Sequence, residues 1–347
     1  MKPSTFVAKT LRRAFRSAGL HRPGGSGASV HTHIERALTA AGLAVPATGT
    51  VARPPARPAE PTRVPGRFLD RRYTGPQGSR DYKLYIPSSH TGRPAPLVLM
   101  LHGCKQNPDD FAAGTAMNAQ AERHGFLVAY PAQTSRANGS NCWNWFEPAE
   151  QTRDGAEPAI LAGIVDHVAA AHPVQPGQVF VAGLSAGAAM AVILGAAYPD
   201  VFSAVAAHSG LPLGAAHDVP SAFAAMHGRP GPTPRARPSA PVRTIVFHGD
   251  ADRTVTLRNG TAIVEQAVAA FEAAGRPLQS PVIASDGHGG RTCEVTTYLD
   301  ATGRAAIEAW RVEGAGHAWS GGSAAGSYTD TTGPDASKEI VRFFLGA

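Results

Sequence analysis

Gly183-Leu184-Ser185-Ala186-Gly187 decides the fold of this 347-residue chain. It follows the apolar run 179–182 and leads into a segment rich in alanine. A G-x-S-x-G sequence between a strand and a helix is typical of a nucleophile elbow, which exposes the serine hydroxyl at the head of the helix. Glycines on either side of the serine remove the Cβ atoms that would clash in so sharp a turn. The motif therefore predicts acyl-transfer chemistry with Ser185 as the nucleophile.

Candidates for an acid and a base follow in the order nucleophile, acid, histidine, which is the chain order of an α/β-hydrolase. The apolar run 244–247 precedes a loop that contains two aspartates, Asp250 and Asp252. Asp252 is the predicted acid, and Asp250, a turn-forming residue directly after a glycine, is the alternative. A second apolar run, 309–312, precedes a glycine-rich loop that carries His317, the predicted base.

An oxyanion hole is expected from an early loop after a strand, together with the residue that follows the nucleophile. The apolar run 96–101 ends at His102-Gly103-Cys104, which has the expected position. The predicted donors are the backbone N–H groups of Cys104 and Ala186. Because both groups belong to the main chain, oxyanion binding does not explain why residue 104 is a cysteine.

Charge and motifs exclude several other classes of protein. The chain carries a formal charge of +6, but residues 1–66 hold ten Lys/Arg and only two acidic residues, so the remainder is net negative. A nucleic-acid-binding function would therefore lack a basic folded face. No apolar run approaches the ~20 residues that span a bilayer. Neither C-x-x-C nor H-E-x-x-H occurs, and we expect no metal and no cofactor.

The chain divides into a basic, Pro/Gly-rich tail and linker, predicted to be largely disordered over residues 1–66, and a catalytic domain over residues 67–347. The domain is predicted to be α/β: a mostly parallel, doubly wound sheet with helices on both faces. The predicted strands are Tyr82–Ile86, Leu97–Leu101, Phe126–Tyr130, Val179–Ala182, Val205–His208, Thr244–Phe247, Val295–Tyr298 and Ala309–Val312. The predicted helices are Asn118–His124, Ala159–Ala171, Ser185–Ala197, Ala262–Ala274 and Ala336–Phe344. Residues 211–241 interrupt the alternation, either as a cover for the acyl pocket or as a loose surface excursion.

Five segments together resemble the catalytic domain of extracellular poly(3-hydroxybutyrate) depolymerases and related esterases. They are Leu101-His102-Gly103-Cys104-Lys105-Gln106, Asn141-Cys142-Trp143-Asn144-Trp145-Phe146, Gly183-Leu184-Ser185-Ala186-Gly187, His248-Gly249-Asp250-Ala251-Asp252 and Gly316-His317-Ala318-Trp319-Ser320-Gly321-Gly322. The resemblance implies an α/β-hydrolase fold, the triad Ser185, Asp252 and His317, and a polyester or oligoester substrate. Feruloyl and acetyl-xylan esterases resemble the same family, so the alternative is a carbohydrate esterase or a general short-chain carboxylesterase.

The resemblance also implies a disulfide between Cys104 and Cys142 beside the oxyanion hole, leaving Cys293 as a thiol. Trp143, Trp145 and Trp319 are candidates for the wall of the acyl groove, with simple packing as the alternative. The family is extracellular, which implies an extracellular or periplasmic location. No signal peptide can be read from the sequence, because no apolar stretch follows Arg12-Arg13, and a reduced, cytoplasmic protein is the alternative.

Overall fold

The structure is a computed structural model in which residues 66–229, 238, 240–288 and 290–346 are described. The tail and linker predicted for residues 1–66 therefore lie, apart from Gly66, outside the described residues. Within the described part of the chain, no helix combines the length and the apolar character needed to cross a bilayer.

A ten-stranded sheet forms the centre of the fold, in the order β1-β2-β4-β3-β5-β6-β7-β10-β9-β8, and a separate pair joins β11 to β12. The strands are β1 (Arg67–Gly75), β2 (Gly78–Ile86), β3 (Ala95–Leu101), β4 (Leu127–Pro131), β5 (Val174–Leu184), β6 (Ala204–His208), β7 (Arg243–Gly249), β8 (Val282–His288), β9 (Arg291–Leu299), β10 (Ala305–Val312), β11 (Trp319–Ser320) and β12 (Thr329–Asp330).

The central strands β4, β3, β5, β6, β7 and β10 are parallel to one another, whereas β1, β2, β9 and β8 add antiparallel pairs at the two sides. Every residue of β4 and β6 is buried. Strands buried on both faces are continuous apolar runs, which explains why the central strands stand out in the sequence. Because β3, β5, β7 and β10 run in the same direction, their carboxyl ends lie along one edge of the sheet.

Helices cover both faces of the sheet. They are α1 (Pro108–Thr115), α2 (Met117–His124), α3 (Ala156–Ala171), α4 (Ala186–Ala197), α5 (Val219–Met226), α6 (Leu257–Ala273) and α7 (Ala336–Leu345), with a 3₁₀ turn at Pro148–Gln151. Leu97, Leu99 and Leu101 pack in one core with α3, α4 and α6, while Val98 and Met100 pack in a second core with α1, α2 and α7. Alternate residues of a strand point to opposite faces, so the two cores lie on opposite sides of the sheet. The predicted doubly wound α/β fold is confirmed.

Each predicted strand and helix overlaps an observed one, and four longer elements were missed: β1, α1, α5 and β8. β1 is a charged, mostly exposed edge strand, and β8 is exposed along its first residues. Helix α1 begins after Asn107, whose side chain accepts the backbone N–H of Asp110. Short or half-exposed elements of this kind carry too few apolar residues to set a clear period in the sequence.

The first half of segment 211–241 is packed against the domain. Leu211, Leu213, Ala222 and Ala225 are buried in the core that contains α4 and α6. Helix α5 begins at a capping box in which Asp218 and Ser221 exchange side-chain and backbone hydrogen bonds. This half is therefore anchored rather than loose, whereas residues 230–237 and 239 lie outside the described residues.

Candidate active site

Ser185 stands at the sharp turn between β5 and α4, with the backbone angles φ 57° and ψ −118°. A left-handed φ at a residue other than glycine is strained, and such strain is concentrated at functional sites. The neighbouring glycines allow the turn to pack. A Cβ on Gly183 would lie 2.3 Å from the backbone of Gly187, and a Cβ on Gly187 would lie 2.1 Å from the carbonyl oxygen of Leu101. Neither glycine can be replaced without moving main chain.

Asp252 and His317 meet after the carboxyl ends of β7 and β10. His317 Nδ1 lies 2.7 Å from Asp252 Oδ2, and the other carboxylate oxygen accepts the backbone N–H groups of Thr254 and Val255 at 2.9 Å each. Burial alone would raise the pKa of Asp252, but the hydrogen bond from His317 and the N–H of Val255 outweigh it and hold the pKa below its usual value. The carboxylate is therefore charged and can only accept, which assigns the proton on Nδ1 to His317.

His248 forms a hydrogen bond to the turn that contains Asp252. Its Nε2 lies 2.7 Å from the carbonyl oxygen of Val255, which can only accept, so Nε2 carries the proton. The side chain is buried, and burial lowers the pKa of His248. His248 is therefore a neutral donor that ties the end of β7 to the turn around Asp252.

Asp250, the alternative acid, has different partners. Its Oδ1 accepts the backbone N–H of Gly314 at 2.8 Å, and its Oδ2 lies 3.2 Å from Arg311 Nη2. Both partners belong to β10 and the loop after it. Asp250 therefore braces that loop, and the hydrogen bond to His317 belongs to Asp252.

Ser185 follows β5 and His317 follows β10, and β6 and β7 lie between these two strands in the sheet. The hydrogen bonds of the described residues do not include one from Ser185 Oγ to His317. Instead, the two loops are tied through His208 at the end of β6. The backbone N–H of Ser185 donates to the carbonyl of His208 at 2.9 Å, and Nε2 of His208 accepts the backbone N–H of Ser320 at 3.0 Å. The imidazole also stacks on Trp319 and Phe247.

The loop after β3 contains the disulfide between Cys104 and Cys142. A second tie lies beside it, because the backbone N–H of Lys105 donates to the carbonyl of Ser140 at 2.9 Å. Cys293 is a buried thiol in β9. The disulfide explains why residue 104 is a cysteine, which donation by its backbone N–H would not require.

Among the described residues, neither of the two predicted oxyanion donors has an acceptor for its backbone N–H. Gly103 N–H donates to Gln106 Oε1 at 3.0 Å, whereas no hydrogen bond among the described residues uses the N–H of Cys104. Ala186 is the first residue of α4, so its N–H has no acceptor within the helix, and no other bond of the described residues uses it. Close packing of Gly187 on the carbonyls of β3 brings the two turns together.

The three predicted groove tryptophans lie in the interior. Trp143 and Trp319 are 0% and 1% exposed, and their indole nitrogens donate to the carbonyl of His102 and to Ser337 Oγ. Trp145 is 6% exposed and packs edge-on against Phe146. Their large apolar rings are better accommodated in the core than on a wet surface. In this structure the three rings are largely covered by protein atoms, which favours the packing alternative.

A buried polar cluster that sequence reasoning missed lies beneath the disulfide. Gln133 is at its centre: its side chain bonds to Arg80, to Glu157 and to the carbonyl of Cys142 at 3.0 Å. Burial raises the pKa of Glu157, which also accepts the backbone N–H of Asn144 at 2.8 Å. The cluster fixes the segment that carries Cys142. No sequence signal marked Gln133 or Glu157, because each meets partners from separate loops.

Comparison with known proteins identifies the family. A family model described as "Esterase PHB depolymerase" matches residues 80–271, which is more than half of the chain. The chain belongs to this esterase family. The match covers β2 through α6 and therefore includes the loops of Cys104, Ser185 and Asp252.

Individual relatives of this PHB depolymerase-family chain agree with the family, and a solved structure agrees with the fold. It is 36% identical over 255 residues to a poly(3-hydroxyalkanoate) depolymerase C of Paucimonas lemoignei, covering 70% of this chain and 59% of that protein. It is 33% identical over 128 residues to a feruloyl esterase B of Neurospora crassa, covering 37% of this chain and 42% of that one. Among solved structures, an acetyl xylan esterase from Aspergillus awamori matches with a TM-score of 0.62 at 19% identity, covering 81% of this chain and all of that one. The chain spans about half the length of the curated relatives it matches.

Proposed function

We propose that this protein is a serine esterase that hydrolyses the ester bonds of short-chain polyhydroxyalkanoates, poly(3-hydroxybutyrate) or its oligomers, through an acyl-enzyme. The observation that carries the proposal is the buried hydrogen bond between Asp252 and His317 at the sheet edge where Ser185 occupies its strained turn. A serine, a carboxylate and an imidazole, in this chain order, are the parts of a Ser-His-Asp triad.

His317 is the base in this proposal. Asp252 holds the proton on Nδ1, so Nε2 keeps its lone pair and removes the proton of the Ser185 hydroxyl during attack on the ester carbonyl. The resulting imidazolium is stabilised by the charged carboxylate and then protonates the leaving alcohol. Water, deprotonated by the same nitrogen, attacks the acyl-enzyme and releases the acid.

The negative oxygen of each tetrahedral intermediate is bound by the N–H groups of Cys104 and Ala186. Their lack of protein acceptors among the described residues supports this role. The N-terminus of α4 adds a favourable field, because the helix dipole is positive at that end. Loss of one such donor typically costs about 10²–10³ in rate, so we expect these amides to matter nearly as much as the triad.

The acyl substrate has one specific alternative. The match to a feruloyl esterase B favours a carbohydrate ester as the second candidate. The polyester is preferred because the depolymerase match runs over 255 residues and the feruloyl esterase match over 128.

The location that fits best is outside the cytoplasm. The Cys104–Cys142 disulfide supports it, because disulfides persist in oxidising compartments and are rare in the cytosol.

Hydrolysis assays test the proposal. The purified chain should cleave p-nitrophenyl butyrate, and it should release 3-hydroxybutyrate from hydroxybutyrate oligomers with a higher kcat/KM than it shows for methyl ferulate or acetylated xylan. His317→Gln is the matched control and should lose activity on every ester. A preference for methyl ferulate or acetylated xylan would make a carbohydrate ester, and not a polyester, the substrate. The absence of all hydrolysis would refute the proposal.

A further inference from the structure

We propose that the protein binds a small dianion of the phosphate class in a cavity beside Arg243 and Arg304. The inference goes beyond the proposed esterase function and does not depend on it. The cavity has a volume of about 210 Å³, and its wall includes both arginines, Gln178 of β5, Ser203 before β6 and Phe344 of α7.

This cavity lies at the edge of the sheet opposite the candidate active site. Arg243 is the first residue of β7, and Arg304 directly precedes β10. The loops of Ser185, Asp252 and His317 follow the carboxyl ends of β5, β7 and β10. Because these strands are parallel, their amino ends lie together at the other edge. A ligand in the cavity would therefore not compete with an ester for the catalytic residues.

The guanidinium of Arg243 is held in place by main-chain acceptors. Its Nε donates to the carbonyl of Ala305 at 3.0 Å, Nη2 donates to the carbonyl of Phe343, and Nη1 lies 3.5 Å from the carbonyl oxygen of Phe344. The guanidinium also lies 4.3 Å from the centre of the Phe343 ring. A guanidinium has five N–H groups, so two of them have no acceptor among the described residues. Arg243 is therefore a fixed cation with donors to spare.

Arg304 supplies a second guanidinium to the same cavity. It directly precedes Ala305, whose carbonyl oxygen accepts the Nε of Arg243. Its side chain is exposed and takes part in no hydrogen bond or ion pair of the described residues. All of its side-chain N–H groups are therefore available to a ligand.

The carboxylates near these arginines have other partners. Glu308 bonds to Arg342, and Asp300 accepts the backbone N–H of Arg304 and two hydrogen bonds from Thr302 in its own turn. Burial, and then repulsion by Arg304, lower the pKa of Arg243 to about 10, so it remains protonated at neutral pH. No carboxylate of the described residues is bonded to either guanidinium.

The donors, charge and size of the cavity select its ligand. Guanidinium groups match the oxygens of phosphate and carboxylate groups through paired hydrogen bonds. A dianion can balance both arginines, whereas a carboxylate balances one. The volume of about 210 Å³ is below the ~300–1,000 Å³ of pockets for drug-sized ligands. Inorganic phosphate, or the phosphoryl group of a monoester, fits these three conditions.

Thermal unfolding of the full chain tests the site at about pH 8, where phosphate is mostly a dianion. Against NaCl of equal ionic strength, we expect Tm to rise by about 3 °C at ten times Kd, with Kd on the order of 1 mM. Acetate should give less than about a third of this rise, because it balances one charge. A larger rise with glycerol 3-phosphate than with inorganic phosphate would identify a monoester as the ligand, and an equal or smaller rise would identify the free ion.

Arg304→Gln should weaken phosphate binding by at least about tenfold, because it removes one of the two charges. Its Tm without phosphate should stay close to that of the parent, since the side chain has no partner to lose. Arg123→Gln is the matched control, because Arg123 is an exposed arginine of α2 that does not line the cavity. It should keep the full phosphate effect.

Three results would overturn the site: no rise of Tm with phosphate in the parent, an equal rise in Arg304→Gln, or an equal rise with acetate. None of these measurements uses ester hydrolysis. A parent protein without esterase activity would therefore refute the proposed function and leave the test of the phosphate site unaffected.

Discussion

His317 Nδ1 donates a 2.7 Å hydrogen bond to Asp252 Oδ2, and the aspartate side chain is 0% exposed. Two backbone N–H groups hold the other carboxylate oxygen, so the acid cannot rotate away from the imidazole without breaking them. Asp250, two residues earlier, is bonded instead to Gly314 and Arg311. In the loop after β7, Asp252 therefore orients His317, and Asp250 stabilises the loop that carries His317.

Asp252→Asn should lower kcat by about 10⁴, because an amide in place of the carboxylate no longer holds the correct tautomer of His317. Asp250→Asn is the matched control. It should mainly lower Tm, with kcat reduced by less than about tenfold. Steady-state kinetics on p-nitrophenyl butyrate and thermal unfolding measure the two effects. The opposite assignment, in which Asp250→Asn has the larger loss of kcat, would make Asp250 the acid.

The Cys104–Cys142 disulfide should support both stability and catalysis. The linked residues are 38 positions apart, a loop whose closure is worth about 3–4 kcal/mol in the chain-entropy model. The double variant Cys104→Ala/Cys142→Ala should therefore unfold at a lower denaturant concentration than the parent protein. Because the bond also holds the Cys104 peptide, we expect kcat to fall more than KM rises.

Peptide mapping checks the covalent part of this prediction. Under oxidising, native conditions, a Cys104–Cys142 linked peptide should be found, and Cys293, which is 0% exposed, should react with iodoacetamide only after unfolding. Reaction of Cys104 and Cys142 in the native, oxidised protein would contradict the disulfide and remove the main support for a location outside the cytoplasm.

Gly187→Ala should destabilise the elbow. The added Cβ would lie 2.1 Å from the carbonyl oxygen of Leu101 and 2.6 Å from that of His102, both of them main-chain atoms. We expect a loss of about 3 kcal/mol in the free energy of unfolding, the cost of a severe overpacking. Gly287→Ala is the control, because its Cβ would meet no atom within 4 Å. Equal stabilities of the two variants in urea would contradict the close approach of α4 to β3.

Stability should rise with pH because of buried neutral histidines. Burial, with smaller contributions from His248 and His317, lowers the pKa of His208 to about 3. The unfolded chain has a histidine pKa of about 6.5, so between these values only the unfolded state binds the proton. The stabilisation is complete above about pH 6.5 and is lost as the pH falls toward about 3.

His208→Leu should reduce this dependence by one proton, which is about 1.4 kcal/mol per pH unit in the free energy of unfolding between pH 6 and pH 4. Tyr130→Phe also loses a buried hydrogen bond, but the pKa of Tyr130 is raised by burial, so the slope should not change. Urea unfolding at several pH values measures the slopes. A parent-like slope in His208→Leu would show that His208 does not remain neutral in the folded protein.

The central strands could be predicted because burial on both faces makes them continuous apolar runs, as in the run that ends at Leu101. The strand β1 was missed because it lies at the edge of the described sheet and its charged residues face solvent. For the site, strand ends and chain order were enough to bring Asp252 to His317. Strand ends and chain order could not show that Trp143 and Trp319 are buried, because their burial depends on helices far away in sequence.

The residues around the oxyanion loop illustrate a second limit. His102 and Gln106 belong to a segment quoted for the family resemblance, yet their hydrogen-bond partners Gln133 and Ser327 lie 31 and 221 positions away. A hydrogen bond between a side chain and a distant backbone group leaves no periodic pattern in the sequence. It therefore cannot be predicted from sequence patterns. The structure supplied those partners.

Labelling of Ser185 tests the central claim most directly. A fluorophosphonate reacts much faster with a serine that is activated by an adjacent base than with an ordinary serine. The account predicts that one equivalent of probe modifies the parent protein at Ser185, that activity on p-nitrophenyl butyrate is lost in step, and that folded Ser185→Ala is neither labelled nor active. Labelling of another residue, or more than a few per cent of parental activity in homogeneous Ser185→Ala, would contradict it.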